Sequence, residues 1–345
     1  MGRHLLKGGS RSHTGILPVP GGSLHAGLVR RAVGCVTAYR GGVLAPVAGE
    51  ADLPAFGWGS IFTEAGPALL PLVAIVVIGG LYAIGVRQLS ARGDAWSTGR
   101  SIAFLGGGLG TIAVATLSGL AAYDEVLFGA HMVQHMLLSM VAPVFLALGA
   151  PVTLALRTLP PRGRGALLAV LHSAPVRVLT FPLVPWLLFV GSPFALYFSG
   201  WYPATLDSAV LHELLHVHFL VVGSLFFWPL VGLDPVPGRV GHPFRMLMLF
   251  ATLPFHAFLG VAIMSVKDNG DGLIAASHYL PLRGLEGAVF QQQVGGGALW
   301  SSGDLIGLLF MVVTLTQWMR ASEREARRED RRLDRADAAA LTDVS

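Results

Sequence analysis

The chain has 345 residues, 53% of them hydrophobic and 13% charged, with a formal net charge of +4 and a single cysteine, Cys35. Such a composition belongs to a chain whose solvent is largely lipid, and one cysteine excludes an intrachain disulfide, a thiolate zinc site and CxxC redox chemistry. The positive charge is nearly all arginine, spread over loops and tails without the aromatic interleaving of a nucleic-acid surface, so it bears on membrane orientation and no nucleic-acid partner is expected.

Residues 1–65 are rich in Gly, Pro and Ser and carry six basic residues, with neither an apolar span nor the apolar core of a cleavable signal. The expectation is a disordered extracytoplasmic tail, with an over-long gene start as the alternative. A helix needs about 20 apolar residues to cross the hydrocarbon core. Seven stretches qualify: 66–88, 101–121, 126–149, 180–199, 209–231, 245–266 and 297–319. The fourth, FPLVPWLLFVGSPFALYFSG, holds Pro182, Pro185 and Pro193 and is expected to be a kinked helix. After the last span, residues 321–345 mix both charge signs at helical spacing, which predicts a solvated cytoplasmic extension of that helix. The predicted fold is all-α: a polytopic membrane protein whose domain, residues 66–320, contains seven transmembrane helices.

Arginine placement orients it. Arg87, Arg92 and Arg100 lie between spans one and two, and Arg157, Arg162, Arg164 and Arg177 between three and four. Arg239 and Arg245 lie between five and six, and Arg320, Arg324, Arg327, Arg328, Arg331, Arg332 and Arg335 follow span seven. The alternate loops YDEVLFGA and GWYPATLDSA have no basic residue, and the six–seven loop has only Lys267 and Arg283. Positive loops stay in the cytoplasm, so the amino terminus is expected outside and the carboxyl terminus inside.

Ionisable groups within spans point to function. His131 and His135 on span three, and His212 and His216 on span five, are each spaced i, i+4, so each pair shares a helix face near the outer end of its span. Two such pairs are expected to meet as a four-nitrogen metal site open to the outer side. His256 and Met264 on span six are secondary candidates, and Asp304 on span seven is the preferred oxygen ligand, ahead of Asp124 and Glu125 at the mouth of span three. Imidazole suits zinc, copper and iron, while the nearby Met132, Met136 and Met140 would favour Cu(I), packing being their ordinary role. His218 falls on the opposite face and His278 in a loop. HELLH, residues 212–216, is also the HExxH of zinc proteases, which needs a third ligand and a water beside the glutamate. Asp234 is about 27 Å along the same helix and cannot reach; Asp304 remains open to that role.

Three segments resemble blocks of the CtaG family of multi-span bacterial membrane proteins required for cytochrome c oxidase assembly. They are HMVQHMLLSMVAPVFLALGAPVTLALR, HELLHVHFLVVGSLFFWPLVGLDPVPGR and QQQVGGGALW. In the third, Gln291 and Leu299 stand where the family usually has Asp and Met. The resemblance spans residues 66–320, with His131 and His135 matching the first block and His212 and His216 the second. It implies a non-enzymatic assembly factor in the bacterial plasma membrane that binds copper transiently, with oxidase subunits and a copper donor on the outer side as partners. A copper transporter, a haem protein ligated by one histidine from each helix, and an intramembrane metalloprotease are the rival readings. The inner halves of spans three and five, VAPVFLALGA and VVGSLFFWPL, lack the polar path a transporter requires.

Overall fold

Apolar backbone crosses lipid as helix because every N–H and C=O must find a partner within the segment. The computed structural model describes residues 53–54, 56–57, 59–64, 68–235, 237 and 240–343, with side chains as far as Arg335. The tail expected over 1–65 lies mostly outside the described residues, as does Arg239. Among the described residues every regular element is helical. The principal helices are α1 (Leu69–Ala91), α2 (Thr98–Tyr123), α3 (Phe128–Thr158), α4 (Leu183–Tyr197), α5 (Ala209–Val231), α6 (His242–Met264) and α7 (Ala276–Asp343). All but α4 are long and apolar enough to cross a membrane, so this is a multi-pass membrane protein with six candidate spanning helices.

The fourth predicted span is where the structure departs from expectation. Instead of twenty residues it forms a helix of 15, about 22 Å long against a hydrocarbon core of about 30 Å. Pro182 caps its start and contributes no N–H, while a bend at Ser199–Gly200 divides it from the short helix Trp201–Leu206. α7 begins some twenty residues before the predicted seventh span. Its path breaks at Gly284, whose φ of 67° suits a residue without a Cβ. The helix then runs through the apolar segment and on through the charged residues to Asp343.

Helices in lipid gain nothing from apolar burial against each other, so close packing holds them. A Cβ on Gly260 of α6 would lie 2.8 Å from the Gly296 carbonyl oxygen of α7, and one on Gly296 would lie 2.8 Å from that of Gly260. A Cβ on Gly223 of α5 would collide with the Ser139 carbonyl of α3. The outward surfaces are apolar: Leu70, Val76 and Leu81 on α1 and Leu214, Val217 and Val221 on α5 are exposed.

Two buried polar side chains fix the loops. Asp234, just past the left-handed Gly232 that ends α5, accepts from Thr153 N (2.7 Å), Thr153 Oγ1 (2.6 Å), Val152 N (3.2 Å) and Trp228 Nε1 (3.0 Å). It thereby caps the last helical segment of α3, which starts at Pro151 after left-handed Ala150. Gln292 of α7 accepts from Ile274 N at 2.7 Å and donates to the carbonyls of Ile263 and Gly272, both at 2.9 Å, holding the α6–α7 loop.

Candidate metal centre

The centre forms where the α2–α3 connection meets the first turns of α5. Ser118 caps the last turn of α2, its Oγ accepting from Leu120 N, and the buried Tyr123 donates to the Pro54 carbonyl at 2.7 Å. The next residues are held from α7: His278 Nε2 donates to the Glu125 carbonyl at 2.8 Å, and Arg283 Nε to that of Val126 at 3.2 Å. This tight connection turns Asp124 inward, where it is 3% exposed. On the other side, Ser208 caps α5, accepting from Leu211 N. With Leu211 and Leu214 facing outward, helical spacing places His212 and His216 on the buried face.

There the two histidines converge on the carboxylate. His212 Nε2 donates to Asp124 Oδ2 at 2.9 Å, and His216 Nε2 lies 3.3 Å from the same oxygen. These are also the described residues that present one ligand atom each within 4.8 Å of one another, from side chains that are all buried. Gln134 of α3 adds a fourth polar group: its Oε1 is 3.1 Å from His216 Nε2, its orientation fixed because Nε2 donates to the Ala115 carbonyl at 2.8 Å. Both groups facing His216 Nε2 are acceptors, so that nitrogen carries the hydrogen. The Nδ1 atoms of His131, His212 and His216 are buried without a hydrogen-bond partner. Burial alone would raise the Asp124 carboxyl, but the hydrogen bonds and charges of His212 and His216 outweigh it and hold the group below the usual carboxylate range.

The span-three pair does not join as a pair. His131 approaches, its ring 6.0 Å from that of His212, with Nε2 3.1 Å from Tyr197 Oη. His135 turns away: its Nδ1 lies 3.1 Å from the same Tyr197 oxygen, and its ring stacks on Phe219 at 3.8 Å. Tyr197 of α4 thus bridges the two histidines, and the buried Tyr202–Tyr279 hydroxyl pair, at 2.7 Å, lies beside it, with the Tyr202 ring tilted against that of His131 at 4.8 Å. A cavity of about 410 Å³ reaches Tyr197 between Ser199, Ser265 and Ile274.

The remaining predicted ligands lie elsewhere. His256 packs 5.5 Å from the Phe189 ring and against Gly303, bonding back to Thr252. Met264, 37% exposed, rests on Gly296. Asp304 accepts from Trp300 on its own helix, with Oδ1 buried and unpartnered. The order given to the acidic residues is therefore reversed: the loop residue Asp124 meets the histidines, and the intraspan Asp304 does not. Sequence reading missed Gln134 and Tyr197. Gln134 carried a signal, an amide between two histidines on an apolar helix; a single tyrosine at the end of a proline-rich span did not.

HExxH takes an unexpected form. Asp124 stands where the motif would need a third ligand, yet Glu213 lies at the opposite edge of the ring, with Oε2 3.8 Å from His216 Nδ1. Its side chain is 38% exposed.

No solved structure matches this chain. Uncharacterized proteins of Mycobacterium bovis and Mycobacterium tuberculosis are each 40% identical to it over 266 residues, and one of Mycobacterium leprae is 36% identical over the same length. The alignments cover 75% of this chain, which spans only 40% of the length of those relatives. The family model described as cytochrome c oxidase caa3 assembly factor matches residues 80–321, a region that includes the Asp124–His212–His216 cluster and both polar latches, and the chain belongs to that family.

Proposed function

We propose that this protein is a non-enzymatic cytochrome c oxidase assembly factor that takes copper as cargo at Asp124, His212 and His216. One observation carries the reading: two imidazoles and a carboxylate, buried and contributed by separate elements, converge on one point. The donor set fits a cation. Nitrogen and oxygen ligands at about 2.0–2.1 Å in a tetrahedron stand about 3.3 Å apart, close to the 2.9 and 3.3 Å separations here. Two imidazoles with a carboxylate suit a divalent ion such as Cu(II) or Zn(II) better than Cu(I). When such an ion replaces the hydrogens on the two Nε2 atoms, the protons move to Nδ1, and Glu213 stands beside Nδ1 of His216 to accept one. That makes Glu213 an orienting partner of a ligand. Gln134 Oε1 is a further oxygen donor beside His216, and His131, adjacent to His212 with an unpartnered Nδ1, is a further nitrogen donor. A site with three protein ligands keeps a position for exchange, which a carrier that must release its cargo needs.

In this reading α4 is a short seventh crossing beside α5 and α6, the amino terminus is outside and the carboxyl terminus is cytoplasmic. Arginine distribution supports that orientation, and it puts the cluster at the outer side of a bacterial plasma membrane. There an extracytoplasmic copper donor and the oxidase subunits are its partners. The test combines metal content of purified protein with oxidase activity of membranes from the same cells. Replacing Asp124, His212 and His216 together removes bound copper and oxidase activity; full oxidase activity in that strain would refute the proposal.

A second reading, an HExxH hydrolase, is favoured by the position of Asp124 as a third ligand and disfavoured by that of Glu213. Glu213→Gln separates the two: a hydrolase loses its activity, whereas a carrier keeps its metal and supports the oxidase.

A further inference from the structure

At the opposite end of the bundle from the cluster, a cavity of about 400 Å³ opens between the end of α5, the start of α6 and α7. His242, Arg245, Arg320 and Arg324 line it with Gln317 and Leu233, and no acidic side chain is among its lining residues. Arg320 and Arg324 are spaced i, i+4, so one face of α7 presents both guanidinium groups. The wall is built in place. Arg245 is 8% exposed and donates through Nε to the Val240 carbonyl at 2.9 Å and through Nη1 to that of Leu230 at 3.0 Å. A Cβ on Gly232 would come within 2.7 Å of the same guanidinium. His242 begins α6, so the positive end of a helix of 23 residues also faces the cavity. Asp234, next to Leu233 in the chain, is fully buried and committed to Val152, Thr153 and Trp228. Glu323 and Glu325 are exposed and outside the lining.

We infer that this cavity binds the phosphate of an anionic phospholipid. Phosphate matches the arginine fork and the helix N-terminus. Two features select a lipid over free phosphate. The cavity lies where the apolar part of α7 gives way to its charged part, the level of a headgroup. Exposed Leu309 and Val313, two turns and one turn before Gln317, lead up to it on α7, and exposed Leu233 borders it, giving acyl chains an apolar path. A bound lipid would join α5, α6 and α7 at the end where Asp234 joins α5 to α3.

The test is native mass spectrometry of the full chain in detergent, titrated separately with phosphatidylglycerol, phosphatidylcholine and inorganic phosphate. Phosphatidylglycerol is expected to bind in preference to phosphatidylcholine. In R320Q/R324Q its affinity falls by about 30-fold, about fivefold for each arginine near a lipid surface. R327Q/R328Q removes the same charge from exposed positions outside the cavity and is expected to stay within about threefold of the unaltered chain. An equal loss in both variants would mean diffuse attraction and overturn the inference. So would equal binding of phosphatidylcholine, or inorganic phosphate binding as tightly as phosphatidylglycerol.

Discussion

Asparagine at position 124 keeps the shape of the aspartate and an oxygen facing the histidines, and removes only the charge. In the structure that charge faces His212 Nε2 at 2.9 Å and His216 Nε2 at 3.3 Å, and it is the sole anion in the cluster. A hydrogen bond to a charged group contributes about 1.5–3 kcal/mol and a neutral one about 1 kcal/mol. Over two contacts the change costs about 2 kcal/mol, a factor of about 30. A divalent cation in the same place carries twice the charge of an imidazolium, so the factor is a lower bound for the metal. Asp124→Asn is therefore expected to weaken Zn(II) and Cu(II) binding at least about 30-fold. Competition against a chromophoric chelator at neutral pH measures this, with circular dichroism confirming that the helices remain. Asp207→Asn, the same charge change at an exposed position, is the control. Affinity in Asp124→Asn within about threefold of the unaltered protein, or an equal fall in Asp207→Asn, would refute the reasoning.

His212→Ala should abolish metal binding at micromolar metal, whereas His135→Ala, whose ring stacks on Phe219 away from the cluster, should leave it nearly intact and instead lower thermal stability by about 1–3 kcal/mol through the lost Tyr197 partner. Asp234→Asn presents an amide NH₂ to buried donors at Val152 or Trp228 and should cost about 3 kcal/mol in thermal unfolding while metal affinity, read at the other end of α5, stays unchanged. The pH dependence of the metal-free protein follows from Asp124. Its folded pKa is depressed, so its contribution to stability is present above the unfolded value and is lost as pH falls through the folded one. The melting difference between the unaltered protein and Asp124→Asn should shrink as pH falls below about pH 4. A difference that grows with acid would reverse the sign and exclude the assignment.

Much of the fold was legible because lipid leaves few choices. A long, predominantly apolar run in lipid favours helix, and 209–231, which carries Glu213 and three histidines, matches α5 residue for residue. The misjudged stretch was 180–199, where hydropathy registers the apolar residues but ignores the missing N–H of Pro182 and the bend at Ser199–Gly200. The start of α7 was also hidden, since residues 276–296 are too polar to read as a span, yet they form helix that pins the α2–α3 connection through His278 and Arg283. For the site, helical spacing gave the faces correctly: His212, His216 and His131 all point inward. Spacing says nothing about the edge of a ring. It therefore could not separate His131, beside His212, from His135, stacked on Phe219, nor show that Glu213 stands at Nδ1. Hydropathy ranked Asp304 above Asp124 because a carboxylate within a span is expensive, but position in a loop does not imply solvent, and Asp124 is the more deeply buried.

The first two segments that carried the family resemblance divide physically into donors and latches, and both kinds join α3 to α5. His212 and His216, near the start of α5, meet Asp124 at the mouth of α3 and Gln134 within it. In the middle, Gly223 lies against the Ser139 carbonyl. Past the end of α5, Asp234 accepts from the N–H groups of Val152 and Thr153 of α3 and from Trp228 Nε1 of α5. Three attachments along a helix of 23 residues, about 34 Å, leave α5 no freedom to slide by a turn against α3. Sliding by one turn moves a ligand about 5.4 Å, more than the whole 4.8 Å spread of the donor atoms. The WPLxGxDP exit, at the far end of α5 from the histidine–carboxylate cluster, is therefore one of three attachments that share in holding this register, and the other two keep it when Asp234 is changed.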